Sequence, residues 1–193
     1  MPRLLLATTN PGKARELRGL LATSGWEALS PQDLGIDLEV PETGITLEEN
    51  ALLKARAFVA ASGLPALADD SGLEVEALGG RPGVHSARWA PGSDADRVTA
   101  LLAALRSCPL PERGAAFRAV VALVWPDGSQ RLAEGRVQGR IALSPRGQGG
   151  FGYDPVFLVE DGGLDGTRTM AELSPTEKSA LSHRARAMQG LLE

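Results

Sequence analysis

The chain has 193 residues, 43% of them hydrophobic and 23% charged, values that are typical of a globular protein and indicate neither disorder nor a membrane class. Acidic residues outnumber basic ones by 24 to 20, and the basic residues form no run, so we expect no nucleic acid partner. The apolar stretches are too short for a membrane span or a signal peptide, which predicts a cytoplasmic protein that does not bind a membrane.

The first third of the chain predicts a strand, a polar loop and two helices. The apolar run from Arg3 to Ala7 leads into Thr8-Thr9-Asn10-Pro11-Gly12-Lys13, after which leucines recur at helical spacing. A second helix is predicted from Leu47 to Ser62, because Thr46 and Glu49 fit a capping box and Gly63 offers a stop.

The middle of the chain predicts a strand, a helix and a hairpin. Residues 65–68 form a short apolar segment, which we interpret as a strand that ends at Asp69-Asp70-Ser71-Gly72. A helix is predicted from Asp94 to Leu105. The β-leaning runs 115–125 and 130–141 predict a hairpin, around which we expect a second lobe.

The last quarter of the chain predicts a glycine-rich loop and one long helix. Four glycines between Pro145 and Gly152 indicate a sharp turn or a close approach of the backbone. Ser174 and Pro175 begin a final helix that we expect to reach Leu192. Helices alternate with strands early and a hairpin follows, so we predict a single α/β domain over residues 1–193, with a mixed β-sheet flanked by helices.

The loop from Thr8 to Lys13 is a candidate phosphate site. It lies between a strand end and a helix start, where backbone N–H groups and the helix dipole favour an anion. Lys13 would add a mobile positive charge. The alternative is a helix cap followed by a solvated lysine.

Two adjacent carboxylates are candidates for metal binding. In an extended backbone Asp69 and Asp70 point to opposite faces, so only one of them faces a given site. A carboxylate at a strand end is suited to Mg²⁺, which takes one or two carboxylates and completes its shell with water and phosphate oxygens. Glu42 is a candidate second carboxylate. The alternative is an ordinary polar turn.

The glycine-rich loop leads into a candidate base site. Phe151-Gly152-Tyr153-Asp154 offers two aromatic rings and a carboxylate, which can stack on a base and accept a hydrogen bond from a ring N–H. Core packing of both rings is the alternative. Lys178, His183 and Arg184 lie on the predicted final helix, where Lys178 and Arg184 would be about 120° apart.

Five blocks, which span nearly the whole chain, resemble the inosine triphosphate pyrophosphatase family, also described as the dITP/XTP pyrophosphatases. The blocks are Ala7 to Lys13, Pro41 to Gly44 with Glu49 to Ala51, Asp69 to Leu73 with Gly79 to Val84, Gly149 to Pro155, and Ala171 to Pro175 with Ser182 to Arg184. The resemblance implies an elongated α/β body with two lobes and a cleft between them, and usually a homodimer.

The resemblance also implies a reaction, the Mg²⁺-dependent hydrolysis of ITP, dITP and XTP to the monophosphate and pyrophosphate, which removes deaminated purines from the nucleotide pool. It assigns Mg²⁺ to Glu42 and Asp70, and makes Asp70 the proton acceptor. The substrate contacts that it implies are Thr8, Thr9, Asn10, Pro11, Gly12, Lys13, Ser71, Phe151, Gly152, Tyr153, Asp154, Lys178, His183 and Arg184. A non-catalytic nucleotide-binding regulator and a pyrophosphatase for other modified nucleotides stay open as alternatives.

Overall fold

The computed structural model describes residues 1–192, and Glu193, the last residue of the predicted domain, lies outside them. The helices in this range are α1 (Pro11–Leu21), α2 (Leu47–Ser62), α3 (Asp94–Ala104), α4 (Pro175–Leu181) and α5 (His183–Leu192). The strands are β1 (Arg3–Leu6), β2 (Glu27–Leu29), β3 (Ala66–Val75), β4 (Pro82–Gly83), β5 (Gly114–Val124), β6 (Gln130–Ile141) and β7 (Phe157–Val159). None of these helices is both long and apolar enough to cross a membrane.

The strands form a mixed sheet in the order β2-β1-β3-β5-β6-β7, and β4 pairs with β3. β1 runs parallel to β2 and β3, whereas the β3–β4 and β6–β7 pairs are antiparallel. The predicted α/β class with a mixed sheet is therefore confirmed.

The chain divides into two compact units. Unit 1 comprises Met1–Asp70, Ala119–Gly135 and the described residues from Arg184 to Leu192, and unit 2 comprises Ser71–Arg118 and Arg136–His183. Both strands of the predicted hairpin, β5 and β6, contribute to both units. The expectation of a lobe formed around that hairpin stays a prediction.

Each unit has its own hydrophobic core. In unit 1 the core is formed by Leu4, Leu6, Leu17, Leu21, Leu67, Val121, Leu123, Ala187, Met188 and Leu191. In unit 2 the apolar face of α3 packs with the strands, and the rings of Phe117 and Phe157 meet with centroids 4.4 Å apart. These cores give the strands that carry the polar residues a rigid support.

Local capping explains why two helix predictions are nearly correct. Thr46 Oγ1 accepts a hydrogen bond from the Glu49 N–H at 3.1 Å, and Gly63 ends α2 with a left-handed φ of 68°. α3 follows Ser93, which forms a capping box with Asp96. The predicted α2 bounds are confirmed, and α3 ends one residue earlier than predicted.

Two element predictions are wrong. The strand predicted to end before Asp69 continues as β3 to Val75, so the two aspartates lie inside a strand rather than at its end. The single final helix is broken at Ser182, whose ψ of 156° is extended, and α5 begins anew at His183. Lys178 and Arg184 therefore lie on different helices, and the 120° relation of one ideal helix does not apply.

Candidate active site

The polar loop before α1 forms the cap of that helix. Asn10 Oδ1 accepts hydrogen bonds from the Gly12 N–H at 2.9 Å and the Lys13 N–H at 3.1 Å. Thr8 Oγ1 accepts one from the Asn10 N–H at 3.2 Å. Three backbone amides, one in the loop and two in the first turn of α1, therefore already donate to side chains of the loop. Phosphate binding here stays a prediction, and in this geometry it would depend on Lys13, the threonine hydroxyls and the helix dipole.

Asp69 is the buried centre of an ion network in unit 1. Its Oδ2 lies 3.1 Å from Lys13 Nζ and 2.9 Å from Arg184 Nε, and Arg184 Nη1 lies 3.0 Å from Glu16 Oε2. Burial would raise the pKa of Asp69, but Lys13 and Arg184 outweigh burial and hold that pKa far below its usual range. Asp69 is thus the anion that pairs with both cations.

Lys13 is largely buried among charged groups of both signs. Only 16% of its side chain is exposed. Burial lowers the pKa of Lys13, and the charges of Lys54 and Arg184 lower it further, whereas Asp69 opposes the change. An added anion would stabilise the charged form of such a lysine, which is what binding of a triphosphate would supply.

Asp70 points to a different set of partners from its neighbour, as expected for adjacent residues of a strand. Lys54 Nζ lies 3.3 Å from Asp70 Oδ1 and 2.7 Å from Glu42 Oε1. Burial raises the pKa of Asp70, and Glu42 adds to the increase, while Lys54 and Lys13 oppose it. The pKa of Lys54 is raised, because the charges of Asp70, Asp69 and Glu42 outweigh its burial.

The two carboxylates fit a magnesium ion. Glu42 and Asp70 converge on the same ammonium group. Asp70 Oδ2 is buried and forms no hydrogen bond of good geometry within residues 1–192, although the Asn50 side chain lies close enough to lower the pKa of Asp70. Across that range no group of three or more His, Cys, Asp or Glu side chains could hold a metal. Mg²⁺ takes one or two carboxylates and completes its shell with water and phosphate oxygens, whereas a closed protein site for a softer metal needs more ligands.

Lys54 is the residue that sequence reasoning missed. The signal for it is in the composition: of the 20 basic residues only three are lysines, and Lys13, Lys54 and Lys178 are those three. Each of them lies within 3.3 Å of an aspartate or glutamate oxygen at the candidate site. A lysine places a compact ammonium at these positions rather than the planar fork of an arginine.

In unit 2 the glycine-rich loop is organised around Asp154. The buried Asp154 Oδ2 accepts hydrogen bonds from the Phe151 N–H at 2.9 Å and from Lys178 Nζ at 2.6 Å. Lys178 Nζ also lies 4.9 Å from the centroid of the Phe151 ring. Gly150 has a φ of +72°, and a Cβ there would collide with the Asp154 carboxylate. The half-buried Phe151 ring is thus held beside a cation and an anion.

The remaining predicted residues of unit 2 have distinct surroundings. The Tyr153 hydroxyl donates to the Ser86 carbonyl at 2.8 Å, and burial raises the pKa of Tyr153 to about 12. The His183 ring stacks on Phe117, with centroids 4.9 Å apart and planes inclined by 15°. Ser71 is half-buried in β3. Tyr153 and His183 therefore have packing roles here, and their contacts with substrate stay predictions.

The predicted site residues fall into two groups. Unit 1 contains Thr8, Thr9, Asn10, Pro11, Gly12, Lys13, Glu42, Asp70 and Arg184, whereas unit 2 contains Ser71, Phe151, Gly152, Tyr153, Asp154, Lys178 and His183. Within unit 1 the ion network joins Lys13 to Arg184 through Asp69. Within unit 2 the loop joins Phe151 to Lys178 through Asp154. Unit 1 thus gathers charges suited to phosphate, and unit 2 gathers an aromatic ring with a donor and an acceptor.

Known proteins of similar sequence and structure identify the family. A model of the Ham1 family matches residues 4–193. The dITP/XTP pyrophosphatase of Symbiobacterium thermophilum is 55% identical over 99% of this chain and 93% of its own length. The chain belongs to the Ham1 family. The resemblance drawn from the five sequence blocks is therefore confirmed.

Two further comparisons extend the match to a second relative and to a solved structure. The dITP/XTP pyrophosphatase of Thermus thermophilus is 50% identical over 99% of this Ham1-family chain and 90% of its own length. The structure of a HAM1 protein from Coxiella burnetii matches with a TM-score of 0.87 at 40% identity, covering 100% of this chain and 97% of that one. Sequence and fold therefore agree on the family over the whole length.

Proposed function

We propose that this chain hydrolyses non-standard purine nucleoside triphosphates, ITP, dITP and XTP, to the nucleoside monophosphate and pyrophosphate. The observation that carries the proposal is the pair of carboxylates, Glu42 and Asp70, 2.7 and 3.3 Å from Lys54 Nζ in a unit that also holds Lys13 and Arg184. Relatives named dITP/XTP pyrophosphatase, 50% or more identical over at least 90% of their own length, support the same activity.

Asp70 is suited to act as the general base. Its buried Oδ2, beside the Asn50 side chain, can accept a proton from a water molecule. In the chain without metal, burial raises the pKa of Asp70, and the charge of Glu42 adds to the increase. Replacing it with asparagine would keep the shape and remove the basicity.

The other charged residues of unit 1 suit the phosphates. We propose that Glu42 and Asp70 hold Mg²⁺, which when bound would neutralise charge on the phosphate oxygens. Lys13 would stabilise the negative charge that develops on the leaving pyrophosphate. Asp69 would keep Lys13 and Arg184 in place without itself taking up a proton, because its pKa is far below its usual range.

The loop residues of unit 2 suit a purine base. The Phe151 ring offers a stacking surface, and Lys178 and Asp154 offer a donor and an acceptor. A donor placed at the purine 6-position pairs with the oxo group of hypoxanthine or xanthine. With adenine the same donor faces an amino group and stays unpaired. Such a mismatch can change selectivity by several orders of magnitude.

The test is pyrophosphate release from ITP, XTP, GTP, ATP and a pyrimidine triphosphate, with and without Mg²⁺. We expect much faster turnover of ITP and XTP, and a loss of about 100-fold to 10,000-fold in Asp70→Asn. Asp127→Asn, in the exposed turn after β5, is the matched control and should be unaffected. Tight ITP binding without turnover would favour a regulator, and preferred cleavage of the pyrimidine would favour a different modified nucleotide.

We also propose that the chain works as a cytoplasmic homodimer that binds neither nucleic acid nor membranes. The net charge of −4 supports the expectation that the chain binds no nucleic acid. Light scattering should give twice the 20.2 kDa mass of one chain. A monomer mass at micromolar concentration would contradict the dimer.

A further inference from the structure

The glycine-rich loop before β7 has an anchor outside itself. The Gly152 N–H donates to Asp94 Oδ2 at 2.7 Å, across 58 positions of sequence and within unit 2. Its neighbour, the Phe151 N–H, donates to Asp154 Oδ2 at 2.9 Å. Two consecutive amides are thus each held by a different carboxylate. Glycine-rich backbone loses much entropy when it is ordered, so this loop needs such contacts to keep one conformation.

Asp94 is not needed to start its own helix. α3 is capped by Ser93 and Asp96, where the Ser93 N–H donates to Asp96 Oδ2 at 2.7 Å and the Asp96 N–H donates to Ser93 Oγ at 3.3 Å. Instead, both oxygens of the Asp94 carboxylate accept hydrogen bonds that are not part of this cap. Oδ1 accepts from Arg97 Nη2 at 2.5 Å while Oδ2 accepts from Gly152, so Arg97 fixes the orientation of the carboxylate. The side chain is directed at the loop by its own helix.

We propose that Asp94 is a positioning residue for base recognition: it holds the Phe151–Gly152 backbone so that the Phe151 ring keeps its place beside Lys178 and Asp154. This inference rests on the proposed function, because it assigns the loop to the purine base. Asp94 acts through the loop and touches no substrate. Its loss lets the ring move, which weakens binding of the base without changing the chemistry at the phosphate.

The hydrogen bonds to the Asp94 carboxylate also affect its pKa. Although burial raises the pKa of Asp94, the contacts with Arg97 and the Gly152 N–H outweigh it and lower that pKa below its ordinary value. The carboxylate is therefore ionised at neutral pH, which is its stronger form as an acceptor. Because 47% of the side chain is exposed, its removal leaves no large cavity, and variants are expected to fold.

The experiment compares wild type, Asp94→Ala, Asp94→Asn and the control Ser93→Ala, in steady-state kinetics with ITP and ATP. For Asp94→Ala we expect KM for ITP to rise about 5-fold, the effect of one hydrogen bond, with kcat nearly unchanged and a lower ITP-to-ATP selectivity ratio. Asp94→Asn keeps an acceptor oxygen and should restore most of the loss. Ser93→Ala weakens the same helix without touching the loop and should leave KM and selectivity unchanged.

A second readout follows the loop directly. Exchange of the Gly152 amide proton should be faster in Asp94→Ala than in wild type and unchanged in Ser93→Ala. An unaltered ITP-to-ATP ratio in Asp94→Ala, with normal wild-type turnover, would overturn the role of Asp94 alone. A wild-type chain that releases no pyrophosphate from ITP would overturn the proposed function and with it this role in base recognition.

Discussion

Replacing aspartate by asparagine should have opposite effects on thermal stability at the adjacent positions Asp69 and Asp70. Asp69 and Asp70 are neighbours in β3 and are both buried, yet the pKa of Asp69 is lowered and the pKa of Asp70 is raised. Asp69 therefore stabilises the folded chain as an anion, whereas ionised Asp70 costs it stability. We predict that Asp69→Asn lowers the melting temperature at pH 7 and that Asp70→Asn raises it, although both reduce activity.

The magnitude for Asp69→Asn follows from its contacts. The substitution leaves Lys13 and Arg184 as buried cations without their shared anion, and breaking a buried ion pair costs about 3 to 5 kcal/mol. The lower value applies, because the asparagine oxygen still accepts from Arg184 Nε and Arg184 keeps Glu16 at 3.0 Å. At about 2 to 4 °C per kcal/mol for a chain of this size, about 3 kcal/mol lowers the midpoint by about 6 to 12 °C.

The pH dependence separates the two positions further. A lowered pKa in the folded state gives stability that is present above the ordinary carboxyl pKa, about 3.9, and is lost as the pH falls through the folded value. A raised pKa has the opposite sign, since stability is lost as the pH rises from about 3.9 through the folded value. The advantage of Asp70→Asn over wild type should therefore be present at pH 7 and disappear at pH 3.

The assay is thermal unfolding followed by circular dichroism at several pH values. EDTA is included, so that no divalent cation compensates for the charge of Asp70. Asp127→Asn, in an exposed turn, serves as the control for removal of one negative charge. Equal losses of melting temperature in Asp69→Asn and Asp70→Asn would refute the reasoning, because it would mean that the two carboxylates have equivalent surroundings.

Three further substitutions test other contacts. Lys54→Met removes the cation shared by the two carboxylates, and calorimetry should show tighter Mg²⁺ binding together with weaker turnover. Arg113→Met removes donors to three backbone carbonyls at 2.7 to 3.0 Å in unit 2, which should cost about 3 kcal/mol in urea unfolding while kcat at 25 °C is kept. Tyr153→Phe loses the bond to the Ser86 carbonyl, and calorimetry should show a midpoint lower by about 2 to 4 °C.

Local sequence signals account for the parts of the fold that were predicted well. α2 is bounded by Thr46 and Gly63, and both signals are visible in the sequence because a cap involves residues within one turn. The same holds for Ser93 at the start of α3. β3 is longer than predicted because its continuation depends on distant contacts rather than on local signals. Adjacent aspartates resemble a turn unless their partners are known, and those partners lie on elements far away in sequence.

The break at Ser182 has a similar explanation. The segment Ser182-His183-Arg184 contains no proline or glycine, so local preference gives no reason to end a helix there. The environment supplies the reason: the His183 ring stacks on Phe117, and the Arg184 guanidinium bonds to Asp69 Oδ2, contacts across 66 and 115 positions of sequence. Long-range contacts of buried polar groups outweigh helix propensity, which amounts to less than about 1 kcal/mol per residue.

The lysines of unit 1, Lys13 and Lys54, differ from arginine in shape and in the response of their pKa to the surroundings. Lys54 places one ammonium between Glu42 and Asp70, at 2.7 and 3.3 Å, a geometry for a compact cation rather than for the planar fork of arginine. Lysine is also the cation whose pKa responds to its surroundings, and the pKa of Lys13 is lowered while that of Lys54 is raised. Arginine would stay charged at either position and would bind carboxylates more rigidly. The ammonium of Lys54 is thus the counter-ion of the two carboxylates that we propose as Mg²⁺ ligands.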